Sequence, residues 1–128
     1  MNRPITERQT NQLRRRLKNR RAELLRAIRE ELLKSEHERY IDLADRVHDV
    51  GDESVAALIS EIDLAVIDHH VHELQDVEAA QWRMSTGAFG KCIDCAESIE
   101  YKRLSAYPTA KRCYTCQKRY EETHARRL

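Results

Sequence analysis

Apolar residues in the first third of the chain recur at helical spacing. Between Ile5 and His48 there is no glycine or proline, and residues of high helix propensity dominate. The apolar positions follow one another mostly in steps of three, four or seven: Leu13, Leu17, Leu24, Ile28, Leu32, Tyr40, Leu43 and Val47. This pattern predicts one long amphipathic helix, with Thr6 or Thr10 as its N-cap.

A second helical pattern follows a short polar turn at residues 48–54. Gly51 can end the first helix in the left-handed conformation, and Asp52 can cap the next helix. The apolar positions after the turn are Val55, Leu58, Ile59, Ile62, Val66, Leu74 and Val77. Two amphipathic helices joined by a short turn predict an antiparallel hairpin, since a long helix needs a partner to be stable in water.

Four cysteines follow in two pairs. Cys92-x2-Cys95 is separated by 17 residues from Cys113-x2-Cys116, a spacing that strongly indicates one zinc ion. Four thiolates complete a tetrahedron, so the site has no open position for water and is structural. A redox dithiol is the weaker alternative, since the βαβ pattern of such folds is absent. Disulfides are disfavoured in the reducing compartment that we expect for this chain.

We therefore expect a mostly α fold in two parts. A long antiparallel helical hairpin, or coiled coil, occupies residues 1–86 and carries an acidic tip at 48–54. A small C4 zinc-finger module with a C-terminal helix occupies residues 87–128. Trp82 is expected to pack the base of the hairpin against this module.

The chain is rich in charged residues, and these charges are unevenly distributed along it. Charged residues make up 35% and aromatics 5%, which favours a narrow hydrophobic seam over a large core. Residues 41–86 hold 2 Lys/Arg and 11 Asp/Glu, for a net −9, whereas residues 1–40 carry +6 and residues 87–128 carry +4. No apolar run is long enough for a membrane span or a signal peptide, so we expect a cytoplasmic protein that does not bind membranes.

Two other clusters, one of histidines and one of basic residues, could bind ligands, but each could also simply form part of a helix face. His69 and His72 could hold a metal, but with His70 they more often belong to a solvated or seam-filling face, and no further ligand lies at a suitable spacing. The basic run could contact phosphates or simply be a solvated helix face: Arg14, Arg15, Arg16, Lys18, Arg20 and Arg21. We expect no enzyme, because no nucleophile has a positioned base and a closed zinc site activates no water.

The C-terminal region resembles the zinc finger of the TraR/DksA family. The matching positions are Phe89, Gly90, Lys91, Cys92, Ile93, Asp94, Cys95, Ile99, Arg103, Leu104, Ala106, Pro108, Thr109, Ala110, Cys113, Cys116 and Gln117. The turn is similar to the Asp-x2-Asp-x-Ala signature of that family, with Asp49, Asp52, and Ser54 in place of the usual alanine.

The resemblance implies a regulator of transcription that acts by protein contact. Members bind bacterial RNA polymerase, insert the coiled coil into its secondary channel and modulate initiation without reading DNA, so Asp49, Asp52 and Ser54 become the expected effector tip. We also expect a monomer. At positions where DksA uses basic residues for guanosine tetraphosphate, this chain has Asp76, Tyr107 and Gln117, which implies that it does not respond to the alarmone in the same way.

A second hypothesis is a nucleic-acid-binding zinc ribbon. It would use the basic N-terminal helix together with the C-terminal lysines and arginines, and it predicts binding that weakens steeply with salt. It leaves the acidic segment at residues 41–86 without a role. The sequence does not specify target promoters or the sign of regulation.

Overall fold

The computed structural model describes residues 3–35, 37–51, 54–59 and 65–125. Regular structure in these ranges is helical, apart from one isolated antiparallel bridge between Lys91 and Ser98. The helices are α1 (Glu7–Lys34), α2 (Glu38–His48), α3 (Ala56–Ile59), α4 (Ala65–Thr86), α5 (Tyr101–Ala106) and α6 (Tyr114–Ala125). None of the described helices has the length and apolar surface that crossing a lipid bilayer requires. The predicted mostly α fold is confirmed.

Packing divides the chain into two compact units. Unit 1 comprises Met1–Leu17 and Ala80–Leu128, and unit 2 comprises Lys18–Ala79. The predicted boundary at residue 87 follows sequence signals and stays a prediction. The packing groups the residues differently, because the start of α1 and the end of α4 pack within the unit that contains the cysteines.

Helix α1 begins at a reciprocal cap. The Thr6 hydroxyl accepts a hydrogen bond from the Gln9 N–H at 3.1 Å, and the Gln9 side-chain oxygen accepts one from the Thr6 N–H at 2.9 Å. This capping box satisfies two backbone donors that the first turn would otherwise leave unpaired. Of the two N-caps considered from the sequence, Thr6 is therefore the one used.

The expectation of one unbroken helix up to His48 is wrong, because α1 ends at Lys34 and α2 begins at Glu38. The Ser35 hydroxyl donates to the Leu32 carbonyl at 2.7 Å, and His37 Nδ1 accepts from the Arg39 N–H at 3.2 Å as the N-cap of α2. Polar side chains here compete with the helical hydrogen bonds, which ends a helix without glycine or proline.

Apolar faces of α1 and α4 form the buried surface, as predicted for α1 and for Leu74 and Val77 of α4. On α1, the residues Leu13, Leu17, Leu24, Ile28 and Leu32 are all at most 2% exposed. On α4, the buried positions are Ile67, Val71, Leu74, Val77 and Ala80. Between these helices in the sequence, Ala44, Val47, Val55 and Ile59 are also buried. The predicted Ile62 lies outside the described residues, and Leu58 is partly exposed.

Helices α1 and α4 contact each other in both units. In unit 1, Leu13 belongs to a cluster against which Met84 packs, and in unit 2 Arg20 pairs with Glu73 at 2.5 and 2.7 Å. The hydrogen bond from Arg20 lowers the pKa of Glu73 below its usual range. Both side chains remain partly exposed, so this ion pair stabilises the fold only modestly.

Truncating Leu74 to alanine tests the core of unit 2. Leu74 is fully buried, so Leu74→Ala should lower the free energy of unfolding by about 2–5 kcal/mol through lost burial and a residual cavity. The measurement is urea denaturation followed by circular dichroism. Gln75→Ala is the control, since Gln75 is exposed on the same helix and its change should cost under about 0.5 kcal/mol. Equal midpoints for the two variants would contradict this packing.

Candidate metal centre

Two loops bring the four cysteines together. The loop at Cys92 is closed by hydrogen bonds from the Cys92 N–H to the Glu97 carbonyl (2.8 Å) and from the Ala96 N–H to the Cys92 carbonyl (3.0 Å). Ala96 takes a positive φ of 65°, which lets the chain turn back after Cys95. This tight turn places both thiols of the first pair on one side of the loop.

The second pair lies at the start of helix α6. The N–H of Cys116 points towards the Cys113 sulfur at 3.5 Å, and the N–H of Gln117 donates to the Cys113 carbonyl at 2.9 Å. The first turn of a helix exposes backbone N–H groups and the positive end of its dipole. Both features favour thiolates, the form of cysteine that binds metal.

The sulfur geometry fits a single tetrahedral ion. The four Sγ atoms all lie within 4.8 Å of one another, and those of Cys95 and Cys113 are 3.9 Å apart. A zinc ion with Zn–S bonds of about 2.3 Å requires sulfurs separated by about 3.8 Å. All four cysteines are free thiols. The predicted structural zinc therefore fits the residues present.

The surroundings of the cluster shift the pKa values of Cys92 and Cys116 in opposite directions. Burial acts to raise the pKa of Cys92, but backbone N–H groups of Cys113, Cys95 and Asp94 outweigh it and bring that pKa down to about 6. Hydrogen bonding with Cys113, assisted by burial, raises the pKa of Cys116 to about 12. A bound zinc ion favours the deprotonated form at every ligand, so metal binding releases protons.

Side chains outside the cluster tie the two loops to each other. Arg112 Nε donates to Asp94 Oδ2 at 2.8 Å, and Arg103 Nε donates to the Arg112 carbonyl at 3.0 Å. The Arg112 guanidinium also lies 3.9 Å from the centre of the Tyr120 ring, within range of a cation–π contact. Asp94 and Arg103 are among the positions that resemble the family, but the sequence did not point to Arg112, because a lone arginine carries no local signal of a distant partner.

The core beside the metal site draws on distant parts of the chain. Leu13, Cys92, Ile99, Leu104 and Cys116 form a buried cluster. Packed against it are Ile5, Met84, Phe89, Tyr101, Ala110 and Cys113. Ile5 and Leu13, from the start of α1 and the residues before it, therefore pack in the unit that holds the cysteines.

Further contacts hold α1 in this unit. Arg16 donates to the Ser105 carbonyl at 2.6 Å, and the Tyr101 hydroxyl donates to Gln12 Oε1 at 3.1 Å. Gly90 has a φ of +84°, and a Cβ added there would meet Ile5 Cδ1 at 3.3 Å, so a side chain would be both strained and crowded. The expectation that Trp82 packs at this junction is wrong, since Trp82 is 70% exposed.

The structure separates the remaining candidates from this centre. Among the described residues, the cysteine cluster is the group of cysteine, histidine and acidic side chains close enough to share a metal. The ring centroids of His69 and His70 lie 3.9 Å apart with their planes tilted by 40°, and His72 lies 3.5 Å from Asp68 at an exposed position. Burial, with His69 and Arg20 nearby, lowers the pKa of His70. These contacts support the solvated or seam-filling interpretation of the histidines.

The predicted effector residues lie in unit 2. Asp49 follows the last turn of α2 with its side chain 81% exposed, and Ser54 donates to Glu78 Oε1 at 3.4 Å. Asp52 lies outside the described residues. The sequence placed these positions at the far end of a hairpin. In the structure, the carbonyl of Gly51 accepts a hydrogen bond from Arg21 at 2.7 Å, which puts this segment beside α1.

A cluster of four cysteines, two of them buried, held by a tight loop and the start of a helix, defines a zinc-finger protein of the C4 class. Residues 87–122 match the family model described as the prokaryotic dksA/traR C4-type zinc finger. This region therefore belongs to the dksA/traR zinc-finger family, which confirms the resemblance found in the sequence.

Curated relatives match a longer part of the chain. Over 101 residues it is 32% identical to the RNA polymerase-binding transcription factor DksA of Caulobacter vibrioides strain NA1000 / CB15N. It is equally similar to the protein of the same name from strain ATCC 19089 / CIP 103742 / CB 15. The match covers 77% of this chain and 66% of each relative, so it spans slightly less than two thirds of their length. No solved structure matches the chain.

Removing the metal should unfold the metal module. In zinc-finger peptides, binding of a structural zinc is worth about 10–16 kcal/mol at neutral pH, and folding depends on it. We expect one zinc per chain by elemental analysis, and loss of NMR dispersion for residues 87–122 after a strong chelator is added. Cys116→Ser should lose zinc to a chelator that leaves Thr115→Ala loaded, since Thr115 is exposed between two ligands. An unchanged spectrum without metal would contradict the structural role.

Proposed function

We propose that this protein regulates transcription by binding bacterial RNA polymerase. The observation that carries the proposal is the 32% identity over 101 residues to relatives named as RNA polymerase-binding transcription factors. The match covers 77% of the chain and therefore extends well beyond the zinc finger at residues 87–122. A likeness limited to the finger would support only a shared metal site.

The finer proposal concerns how the protein acts. The acidic segment enters the secondary channel of polymerase, and Asp49, Asp52 and Ser54 act near its catalytic centre to modulate initiation. The net charge of −9 over residues 41–86 supports this, because a strongly acidic segment is steered towards a basic channel. The exposed carboxylate of Asp49 is available to a partner.

The contacts of the basic run weaken the nucleic-acid alternative. Arg16 is bonded to the Ser105 carbonyl, Arg20 to Glu23 and Glu73, and Arg21 to Gly51 and Glu78. Guanidinium groups engaged in this way contribute less to a phosphate-binding surface than free ones. We accordingly propose that the protein contacts polymerase rather than reading DNA sequence.

Neutralising the acidic tip tests the mechanism. Asp49→Asn/Asp52→Asn should lower the effect on in vitro transcription from a ribosomal RNA promoter by at least about tenfold, since a hydrogen bond to a charged group contributes about 1.5–3 kcal/mol. Binding to polymerase through other surfaces should persist. The measurement uses purified bacterial polymerase, and each variant is checked for zinc and helix content.

The control for this experiment is Asp42→Asn, which removes a charge from an exposed position earlier on α2. It should behave like the unmodified protein. If Asp42→Asn and the tip variant lose the same activity, net charge rather than the tip carries the effect. If the unmodified protein neither binds polymerase nor alters transcription, the proposed function itself fails.

A second test addresses guanosine tetraphosphate. Asp76 and Tyr107 are exposed, and Gln117 donates to Glu121 at 3.1 Å, so none of the three positions offers a cation to a phosphate. We expect the alarmone to produce no synergy with this protein in the same transcription assay. The control is a DksA that responds to the alarmone on the same promoter. Strong synergy with the present protein would overturn this prediction.

A further inference from the structure

The metal site has a buried side and an exposed side. Cys92 and Cys116 are buried within the apolar cluster of unit 1. Cys95 is exposed and Cys113 is partly exposed, and their sulfurs lie 3.9 Å apart. A chelator or another competing ligand approaches a metal from the side that faces solvent. We therefore expect exchange of the metal to begin at Cys95 and Cys113.

A salt bridge joins the residues that lie next to these two cysteines. Asp94 immediately precedes Cys95 in the sequence, and Arg112 immediately precedes Cys113. Arg112 Nε donates to Asp94 Oδ2 at 2.8 Å, so the loop of the first cysteine pair is connected to the segment before α6. Movement of Cys95 away from Cys113 would stretch or break this ion pair, because each cysteine is covalently linked to one of its partners.

The surroundings of Arg112 distinguish this ion pair from a typical surface salt bridge. The Arg112 side chain is only 11% exposed, although that of Asp94 is 45% exposed. The guanidinium carbon lies 3.9 Å from the centre of the Tyr120 ring, and Arg103 Nε donates to the Arg112 carbonyl at 3.0 Å. The cation–π contact and the shielding from water both strengthen the hold on the guanidinium group. Since Tyr120 lies on α6, this contact also fixes Arg112 to the helix that carries Cys116.

We propose that Asp94, Arg112 and Tyr120 form a bridge that positions the two exposed cysteines and slows release of the metal. The three bridge residues are positioning residues, because they act through Cys95 and Cys113 and bind no metal themselves. Release of zinc requires at least one cysteine to leave the ion, and the bridge opposes movement of the two cysteines that a competing ligand reaches first. The proposal is independent of polymerase binding, since release of zinc is measured on the protein alone.

The rate of zinc release to an excess of a strong chelator tests the bridge. Arg112→Gln removes both the salt bridge and the cation–π contact, so it should release zinc at least about tenfold faster than the unmodified protein, as expected for the loss of a hydrogen bond between charged groups. Lys111→Gln is the matched control, because it removes one positive charge from the adjacent, exposed position. It should release zinc at the unmodified rate. Equal rates in the two variants would overturn the proposal.

Two further measurements separate positioning of the cysteines from general destabilisation. In cobalt-loaded Arg112→Gln, the visible absorption bands should match those of the unmodified protein, since all four thiolate ligands remain. In hydrogen–deuterium exchange of the zinc-loaded variant, the Ile93 amide, which donates to the Lys111 carbonyl at 2.9 Å, should exchange faster. The Leu104 amide, which donates to the Glu100 carbonyl in α5, should keep its rate. Changed cobalt bands, or faster exchange at Leu104, would overturn the proposal, because the whole module would then be loosened.

Variants of the other two bridge residues test the proposal in case Arg112→Gln folds poorly. Tyr120→Leu removes the aromatic face and should speed release by about two- to fivefold, whereas Tyr120→Phe keeps that face and should release zinc at nearly the unmodified rate. Tyr114→Leu, at an exposed tyrosine earlier on α6, is the control and should have no effect. Asp94→Asn keeps an acceptor oxygen but loses its charge, so it should speed release less than Arg112→Gln does. Unmodified rates in both Tyr120→Leu and Asp94→Asn would overturn the proposal.

A double-mutant cycle tests whether the bridge residues act together. If Asp94 acts through Arg112, then Asp94→Asn/Arg112→Gln should release zinc no faster than Arg112→Gln alone. Arg112→Lys should release zinc at a rate between those of Arg112→Gln and the unmodified protein, because lysine keeps the charge but lacks the planar group that lies over the ring. If the effects of the two single substitutions instead multiply in the double variant, Asp94 and Arg112 act independently and the bridge is wrong.

Discussion

The attraction of four thiolates for one metal ion is the constraint on which unit 1 depends. The stretch between the cysteine pairs contributes few buried side chains, chiefly Ile99 and Leu104, and these could not stabilise a module by themselves. The metal site gives the two loops a fixed geometry. That geometry creates the surface against which Leu13 and Met84 pack, and through them helices α1 and α4 become part of the same unit.

In unit 2, the structural effect of an ion pair depends on how far its side chains are exposed to water. The exposed pair Arg20 and Glu73 bridges two helices and contributes modestly to stability. The shielded pair Arg21 and Glu78 also satisfies backbone groups of a loop, so its removal would leave several polar atoms unpaired. Two adjacent arginines on one helix therefore have different structural consequences, although their sequence context is almost the same.

Under the proposed function, the two units have different roles. The metal module provides a rigid element whose conformation is set by coordination bonds. Unit 2 contains most of the acidic segment at residues 41–86, held by apolar contacts and a few shielded polar ones.

The sequence by itself determined the features that rest on local spacing: the four-cysteine zinc site, the apolar face of α1, and an N-cap at Thr6 or Thr10. Each follows from the geometry of a turn or helix and needs no distant partner. Only the tertiary structure decided that Ile5 and Leu13 pack beside the cysteines, that Trp82 is exposed, and that Arg21 reaches Gly51, 30 residues away. Such long-range contacts depend on how the helices pack, and no short segment of the chain encodes them.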